Sequence, residues 1–240
     1  MNHNNSPLGD GSMNTIFITG TGTDVGKTVA AAIVTEALEA DYWKPVQAGF
    51  DEGTDSTFIQ SIISNKKTII HPETYKLKLP ASPHIAAREE GIKISLDEIY
   101  ADYLKIVNGQ WPIVNKEQAD TTHHSPLTIH NLIIEGAGGL LVPLNENEFV
   151  LDLIKKLNAK VILVSRNYLG SINHSLLTAS VCKANNIDVL GWIFNDQYMN
   201  YENDIVQWSG YPKIASLPFL TKINPAFIKE QACIIKHSLL

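Results

Sequence analysis

A glycine-rich loop set between a strand-like apolar run and a helix-like one constrains this chain more than any other feature. Residues 15 to 28 read TIFITGTGTDVGKT. Ile16, Phe17 and Ile18 form a β-rich run, Gly20, Gly22 and Gly26 punctuate the turn, and Lys27 and Thr28 open an apolar helical pattern. Strand, glycine loop, Gly-Lys-Thr and helix, in that order, make a phosphate-binding loop. Glycines let the backbone curl so that successive N–H groups face phosphate oxygens, which a Cβ would obstruct. Lys27 brings positive charge toward the β- and γ-phosphates, Thr28 offers a hydroxyl to Mg²⁺, and the helix adds its N-terminal partial charge. The spacing is longer than the general pattern. Thr21 stands five positions before Gly26, where a glycine is usual, and Gly20 stands six before it.

The rest of the composition narrows the class. A 240-residue chain with 44% hydrophobic and 18% charged residues has material for one sizeable α/β core and too little charge for disorder. A formal net charge of -6 argues against a nucleic-acid partner, whose phosphates need a basic surface. No apolar run approaches the ~18 residues of a membrane span, and the N-terminus lacks a signal-peptide core. Cys182 and Cys233 show no metal-type spacing and read as buried thiols in a reducing compartment, so a cytoplasmic protein is expected. Residues 1–12 are polar and read as a disordered tail or an expression remnant. Met13 is the more natural start, and residues 13–240 read as one domain.

Along the chain, Val29/Ile33/Ala37 and Ala30/Val34/Leu38 recur at helical spacing. A second strand is expected over Tyr42–Val46, ending at Gln47-Ala48-Gly49, with Pro45 limiting its pairing on one side. Asp51 to Asp55 reads as a loop and Ser56 to Ile63 as a helix. Residues 71–84 read as Pro-punctuated extended loop, followed by helices over Ile85–Glu90 and Leu96–Val107. Residues 108–127, with His123-His124, read as a polar surface loop. Strands are expected over Asn131–Ile134, Lys160–Ser165, Val189–Phe194 and Lys213–Leu217, and helices over Phe149–Leu157, Ile172–Ala184 and Pro225–Leu239. Ser171 or Asn173 is a candidate cap for the second of these helices. This alternation predicts a mostly parallel central sheet with helices on both faces, a single-domain P-loop NTPase-like fold. Ligands then sit beyond the carboxyl ends of the strands, where all the polar and glycine clusters fall.

Glu135 follows Leu132-Ile133-Ile134 directly and precedes Gly136-Ala137-Gly138-Gly139. A carboxylate at that place, beside a phosphate loop, is where a magnesium-binding acid belongs. Lys44 and Asp55 gain weight only from the same arrangement, since alone they read as a surface lysine and a helix cap. His84 and His174 read as structural, with no metal set near them.

Taken together, GTGTDVGKT, Lys44-Pro45-Val46-Gln47-Ala48-Gly49, Ser82-Pro83-His84, Glu135-Gly136-Ala137-Gly138-Gly139, Gly170-Ser171-Ile172-Asn173-His174 and Asn195-Asp196 resemble the dethiobiotin synthetase family, in its order and over roughly residues 14–239. The longer loop is the family's own. The resemblance implies an ATP- and Mg²⁺-dependent closure of a ureido ring on 7,8-diaminononanoate with CO₂, through a carbamate and a carbamic-phosphoric anhydride. By matching position, Gly22, Thr23, Asp24, Val25, Gly26, Lys27, Thr28 and Val29 would hold the nucleotide, with Glu135, Gly136, Ala137 and Gly138. Asn195 would read the adenine beside Pro218, Phe219 and Leu220. Thr23, Asp24, Lys27 and Lys44 would surround the carbamate and γ-phosphate, and Thr28, Asp55 and Glu135 would bind Mg²⁺. Lys44 and Ala48 would meet the substrate. Gly170, Ser171, Ile172 and Asn173 would hold its carboxylate tail from the partner subunit of a homodimer. Ala48 replaces a serine or threonine of some relatives, the connection before Tyr42 is short, and residues 108–127 are long.

A second reading is a partition-type ATPase switch, which shares the fold and loop but acts through protein partners. Such proteins usually carry an extra lysine early in the loop, and residues 20–26 contain none. The amidotransferase-linked ligases of cobalamin synthesis need a glutaminase domain for which this chain has no room.

Overall fold

The computed structural model describes residues 14–110, 131–196, 199–218, 220 and 222–239. The proposed tail, His123-His124 and Phe219 lie outside the described residues. Seven strands form one sheet in the order β4 (Ile70–His71), β2 (Asp41–Trp43), β6 (Asn131–Gly139), β1 (Asn14–Gly20), β7 (Lys160–Arg166), β8 (Val189–Asn195) and β9 (Lys213–Leu217). Every neighbouring pair is parallel. Since the chain leaves β1 toward β2 on one side and later adds β7 on the other, the order reverses at β1, where parallel sheets open a crevice.

Both faces of this sheet are covered, which is why its strands read as continuous apolar runs. Ile16, Ile18, Tyr42, Ile133, Ile162, Val164 and Ile193 face a core shared with α1 (Lys27–Leu38), α2 (Asp55–Ile62) and α8 (Pro225–Leu239). Their neighbours Phe17, Trp43, Leu132, Ile134, Val161, Leu163, Trp192 and Phe194 point the other way. They meet α3 (Pro83–Glu89), α4 (Leu96–Val107), α5 (Val150–Leu157), α6 (Ser171–Ala184) and α7 (Tyr201–Ser209). The two-residue alternation of a strand sorts each run into these two cores.

The structure departs from the sequence expectations at five points. The run Tyr42–Val46 is not one strand. β2 ends at Trp43, and the chain turns out through Lys44-Pro45 into β3 (Val46–Ala48), which pairs in parallel with β5 (Tyr75–Leu77) in a separate two-stranded sheet. Pro45 has no N–H to continue the ladder, while its carbonyl accepts from Tyr75 N at 2.9 Å. Residues 71–84 are therefore not all loop, because Tyr75 and Leu77 bury their side chains around an exposed Lys76. α7, absent from the sequence reading, carries few apolar residues and packs mainly through Ile205. Cys233 is exposed, whereas Cys182 is buried as expected. Finally, neither Ser171 nor Asn173 caps α6. Gly170, at φ 105°, occupies the cap position, and Ser171 Oγ accepts instead from Tyr168 N at 3.3 Å.

Candidate active site

The loop between β1 and α1 keeps its shape through close backbone approaches. Gly26, at φ 94°, is the residue before α1, and a Cβ there would lie 2.3 Å from Asn195 Nδ2. A Cβ on Gly139 would lie 2.9 Å from the Gly20 carbonyl, so the end of β6 presses against the start of the loop. Asp24 also holds a left-handed conformation, at φ 55°. Val25 closes the loop from below, buried in the core beside α1. Lys27 folds back so that its ammonium donates to the Gly22 carbonyl at 2.8 Å. Only 8% exposed, it is pulled below the ordinary lysine value by burial, against the opposing charge of Glu135.

Beside the loop, four elements converge on one polar cluster. β6 runs on through its glycines to Gly139, so Glu135 lies within the strand instead of following it, and is 1% exposed. Thr28, in the first turn of α1, donates toward Glu135 Oε1 (2.8 Å) and Asp55 Oδ1 (2.9 Å). Lys44 leaves the end of β2 to ion-pair with Asp55 Oδ2, and reaches Glu135 Oε1 at 3.2 Å. Burial acts to lower Lys44, but Glu135 and Asp55 outweigh it and hold the ammonium above the ordinary lysine range. The same pairing works on Asp55 in reverse. Burial would raise its carboxyl, and the Lys44 charge brings it below the usual carboxylate range.

Asp55 owes its position to a helix start. Thr54 caps α2 by accepting from Thr57 N (3.1 Å), and Thr57 Oγ1 accepts from Thr54 N (2.9 Å). Asp55 N donates to Gln47 Oε1 at 3.3 Å, which ties α2 to β3. A carboxylate in the first turn is also favoured by the helix dipole.

Above this cluster opens a cavity of about 920 Å³, the upper part of the range for small-molecule sites. It is lined by Thr23, Asp24, Gly26, Lys27, Thr28, Val29, Lys44, Ala48, Asp55, Glu135, Ala137, Gly138, Asn195, Pro218 and Leu220, among the residues expected from the sequence. Asn195, at the end of β8, donates through Nδ2 to the Val25 carbonyl at 3.4 Å, which joins it to the loop.

Other expected residues lie elsewhere. Gly22 is outside the cavity lining and supplies the carbonyl for Lys27. Gly136 serves packing, since a Cβ there would meet the Phe17 ring at 2.6 Å. Gly170, Ser171, Ile172 and Asn173 open α6 away from this cavity, next to Leu169, which is 77% exposed. His174 hydrogen-bonds Tyr168 and His84 pairs with Ser82, in keeping with structural roles.

The sequence reading missed three site groups. Tyr42, fully buried, donates to Glu135 Oε2 at 2.8 Å. Its phenol is pushed well above the ordinary tyrosine value by burial, with the Glu135 charge adding to the effect. Gln47, part of a strand end and of the Lys44–Gly49 motif with no role of its own in the sequence, accepts from Asp55 N. Arg166, one residue past the strand expected over Lys160–Ser165, ends β7, lines the cavity and pairs with Asp196 at 2.6 Å.

Fold and loop define the class: a P-loop nucleoside-triphosphate-using α/β protein. The AAA_26 family model, described as an AAA domain, matches residues 14–226. Among solved structures, the ParA family ATPase from Chlorobium tepidum aligns with 96% of this chain and 92% of its own (TM-score 0.51, 11% identity). A putative plasmid partition protein from Borrelia burgdorferi, bound to AMPPNP, covers 95% of this chain and 100% of its own (TM-score 0.51, 14% identity). These likenesses carry the fold alone. At the sequence level the chain is 48% identical over 222 residues to the ATP-dependent dethiobiotin synthetase BioD of Cytophaga hutchinsonii, covering 92% of this chain and 96% of that one. The corresponding protein of Afipia carboxidovorans is 36% identical over 89% and 91% of the two chains. The chain belongs to the ATP-dependent dethiobiotin synthetase family.

Proposed function

We propose that this protein closes a ureido ring on 7,8-diaminononanoate, using ATP and CO₂ to give dethiobiotin, ADP and phosphate. One observation carries the reading. Two buried lysines, Lys27 and Lys44, lie with Thr28, Asp55 and Glu135 at the floor of a single cavity, beside a phosphate loop. The chemistry asks for that arrangement. One amine adds CO₂ and loses a proton to become a carbamate. A carbamate oxygen attacks the γ-phosphorus and ADP departs, leaving a mixed carbamic-phosphoric anhydride. The second amine attacks the carbonyl carbon, phosphate leaves, and the ring is closed.

A carbamate and a triphosphate are both anionic, so their approach needs fixed positive charge in a site with little water. Lys27 serves the β- and γ-phosphates, and Lys44, in the same cavity lining as Ala48, serves the carbamate. Thr23 and Asp24 cover the loop side. Asn195, Pro218 and Leu220 take the base, and the glycine-opened start of α6 holds the substrate's carboxylate from the partner of a homodimer, where unpaired helix N–H groups favour an anion.

The residues fit Mg²⁺. Thr28, Asp55 and Glu135 are hard oxygen donors: the Thr28 hydroxyl lies against both carboxylates, and the two carboxylates already share one cation, the Lys44 ammonium. In this reading two carboxylates, a hydroxyl and the nucleotide's phosphates share the ion. When bound, the ion neutralises phosphate charge. No described helix is long and apolar enough to cross a membrane.

The test is isotopic. With ¹³C-bicarbonate, ATP and the diamine, the product should carry the label in its ureido carbonyl. An unlabelled product, or none, would overturn the proposal.

A further inference from the structure

The strand β2 and the residue that follows it bring two side chains to the metal-side cluster, and only one, Lys44, belongs to the motifs discussed above. The other is Tyr42. Its main chain sits in register with Ile133 on β6, two residues before Glu135, and its ring is buried in the core beneath α1. From there the phenol O–H donates to Glu135 Oε2 at 2.8 Å. The second carboxylate oxygen, Oε1, faces Thr28 (2.8 Å) and Lys44 (3.2 Å). The two oxygens of Glu135 are therefore divided: Oε2 is tied to the core, and Oε1 is turned to the cavity.

We infer that Tyr42 is a positioning residue for the metal-side carboxylate, fixing the rotamer of Glu135 so that Oε1 alone is offered to the cation. This rests on the reading that Glu135 binds Mg²⁺ in the synthetase reaction. A glutamate has three side-chain torsions, and a free carboxylate at this depth could turn either oxygen outward or swing toward Lys44. A rigid aromatic donor behind it removes that freedom. Outer partners of metal-binding carboxylates commonly carry tenfold to hundredfold in metal affinity. The burial of Tyr42 makes its effect one of aim and not of contact, since the ring itself does not line the cavity.

The test is Tyr42→Phe, which keeps the ring and removes only the donor, with Mn²⁺ as the probe ion. Mn²⁺ affinity, measured by electron paramagnetic resonance with a non-hydrolysable ATP analogue bound, should fall by roughly tenfold or more. The KM for the diamine should stay unchanged. Tyr75→Phe is the control. Tyr75 donates through its hydroxyl to Glu98, neither residue lines the cavity, and the loss of that hydroxyl costs a hydrogen bond without removing one from Thr28, Lys44, Asp55 or Glu135. Equal Mn²⁺ affinity in Tyr42→Phe and the unsubstituted protein would overturn the inference. So would an equal loss in Tyr75→Phe. The Mn²⁺ measurement needs no turnover, so it separates this inference from the assigned reaction: failure to make dethiobiotin would sink the reaction while leaving the affinity difference readable. Should Tyr42→Phe not fold, 3-fluorotyrosine at position 42 retains the hydroxyl. Its ¹⁹F resonance should then move along the Mg²⁺ binding curve, and a resonance that stays still would overturn the inference.

Discussion

Thr28 Oγ1 lies 2.8 Å from Glu135 Oε1, although 107 positions separate the two residues. The first turn of α1 and the middle of β6 meet because β1 and β6 are parallel neighbours, with Ile18 in register with Glu135. A strand-to-helix turn at the end of β1 therefore sets Thr28 directly above the carboxylate of the next strand. If this contact marks the metal position, Glu135→Gln should shift the Mg²⁺ requirement for turnover upward by on the order of tenfold. An unchanged Mg²⁺ titration would remove Glu135 from the ligand set.

Lys27→Ala should reduce turnover by roughly a hundredfold to a thousandfold, about 3 to 4 kcal/mol of lost charge stabilisation. The fold should persist, because the ammonium's hydrogen bond is to the Gly22 carbonyl of its own loop. Single-turnover ADP formation, with circular dichroism as the folding check, measures both. Near-normal turnover would exclude Lys27 from the chemistry.

Gly26→Ala tests the loop's shape. At φ 94° an alanine is strained by about 1 to 3 kcal/mol, and its Cβ would collide with Asn195 Nδ2. The variant should lose nucleotide affinity more than stability, since Asn195 must move and takes part of the cavity wall with it. Calorimetric titration with ATP, beside a denaturant melt, distinguishes the two. Affinity equal to that of the unsubstituted protein would show that the approach is not needed for binding.

Cys182 gives a pH prediction. Buried in the core between α6 and the sheet, its thiol is pushed up to about 12 by burial, from an ordinary value near 9. The folded value exceeds the unfolded one, so the stability it contributes is complete below about 9 and is lost as pH rises toward 12. At pH 8, a thiol reagent should modify the exposed Cys233 at once and Cys182 only on unfolding. Equal labelling of both in the native protein would contradict the packing of α6.

Much of this arrangement was legible in the sequence where local chemistry is unambiguous. The phosphate loop, the buried strands around Ile134 and Leu163, and helices such as Leu96–Val107 each carry their own periodicity or turn residues. The site residues expected at strand ends mostly share one cavity, because a parallel sheet gathers those ends on one side. What escaped depended on partners distant in sequence. β3 and β5 are three residues each and exist only as a pair, so neither carries enough pattern alone. Tyr42 looked like core because it is core, and only the packing of β2 against β6 aims its hydroxyl at Glu135. The start of α6 lies outside the cavity lining, so the role proposed for it calls for a second subunit.

The central claim is that ATP is consumed only in service of ring closure. The measurement that tests it most directly is ADP release with Mg·ATP, with and without 7,8-diaminononanoate and bicarbonate. The account predicts release only when both are present, matched mole for mole by dethiobiotin detected by mass. Slow ADP release indifferent to the diamine would contradict it, and would favour the partition-type switch that shares this fold.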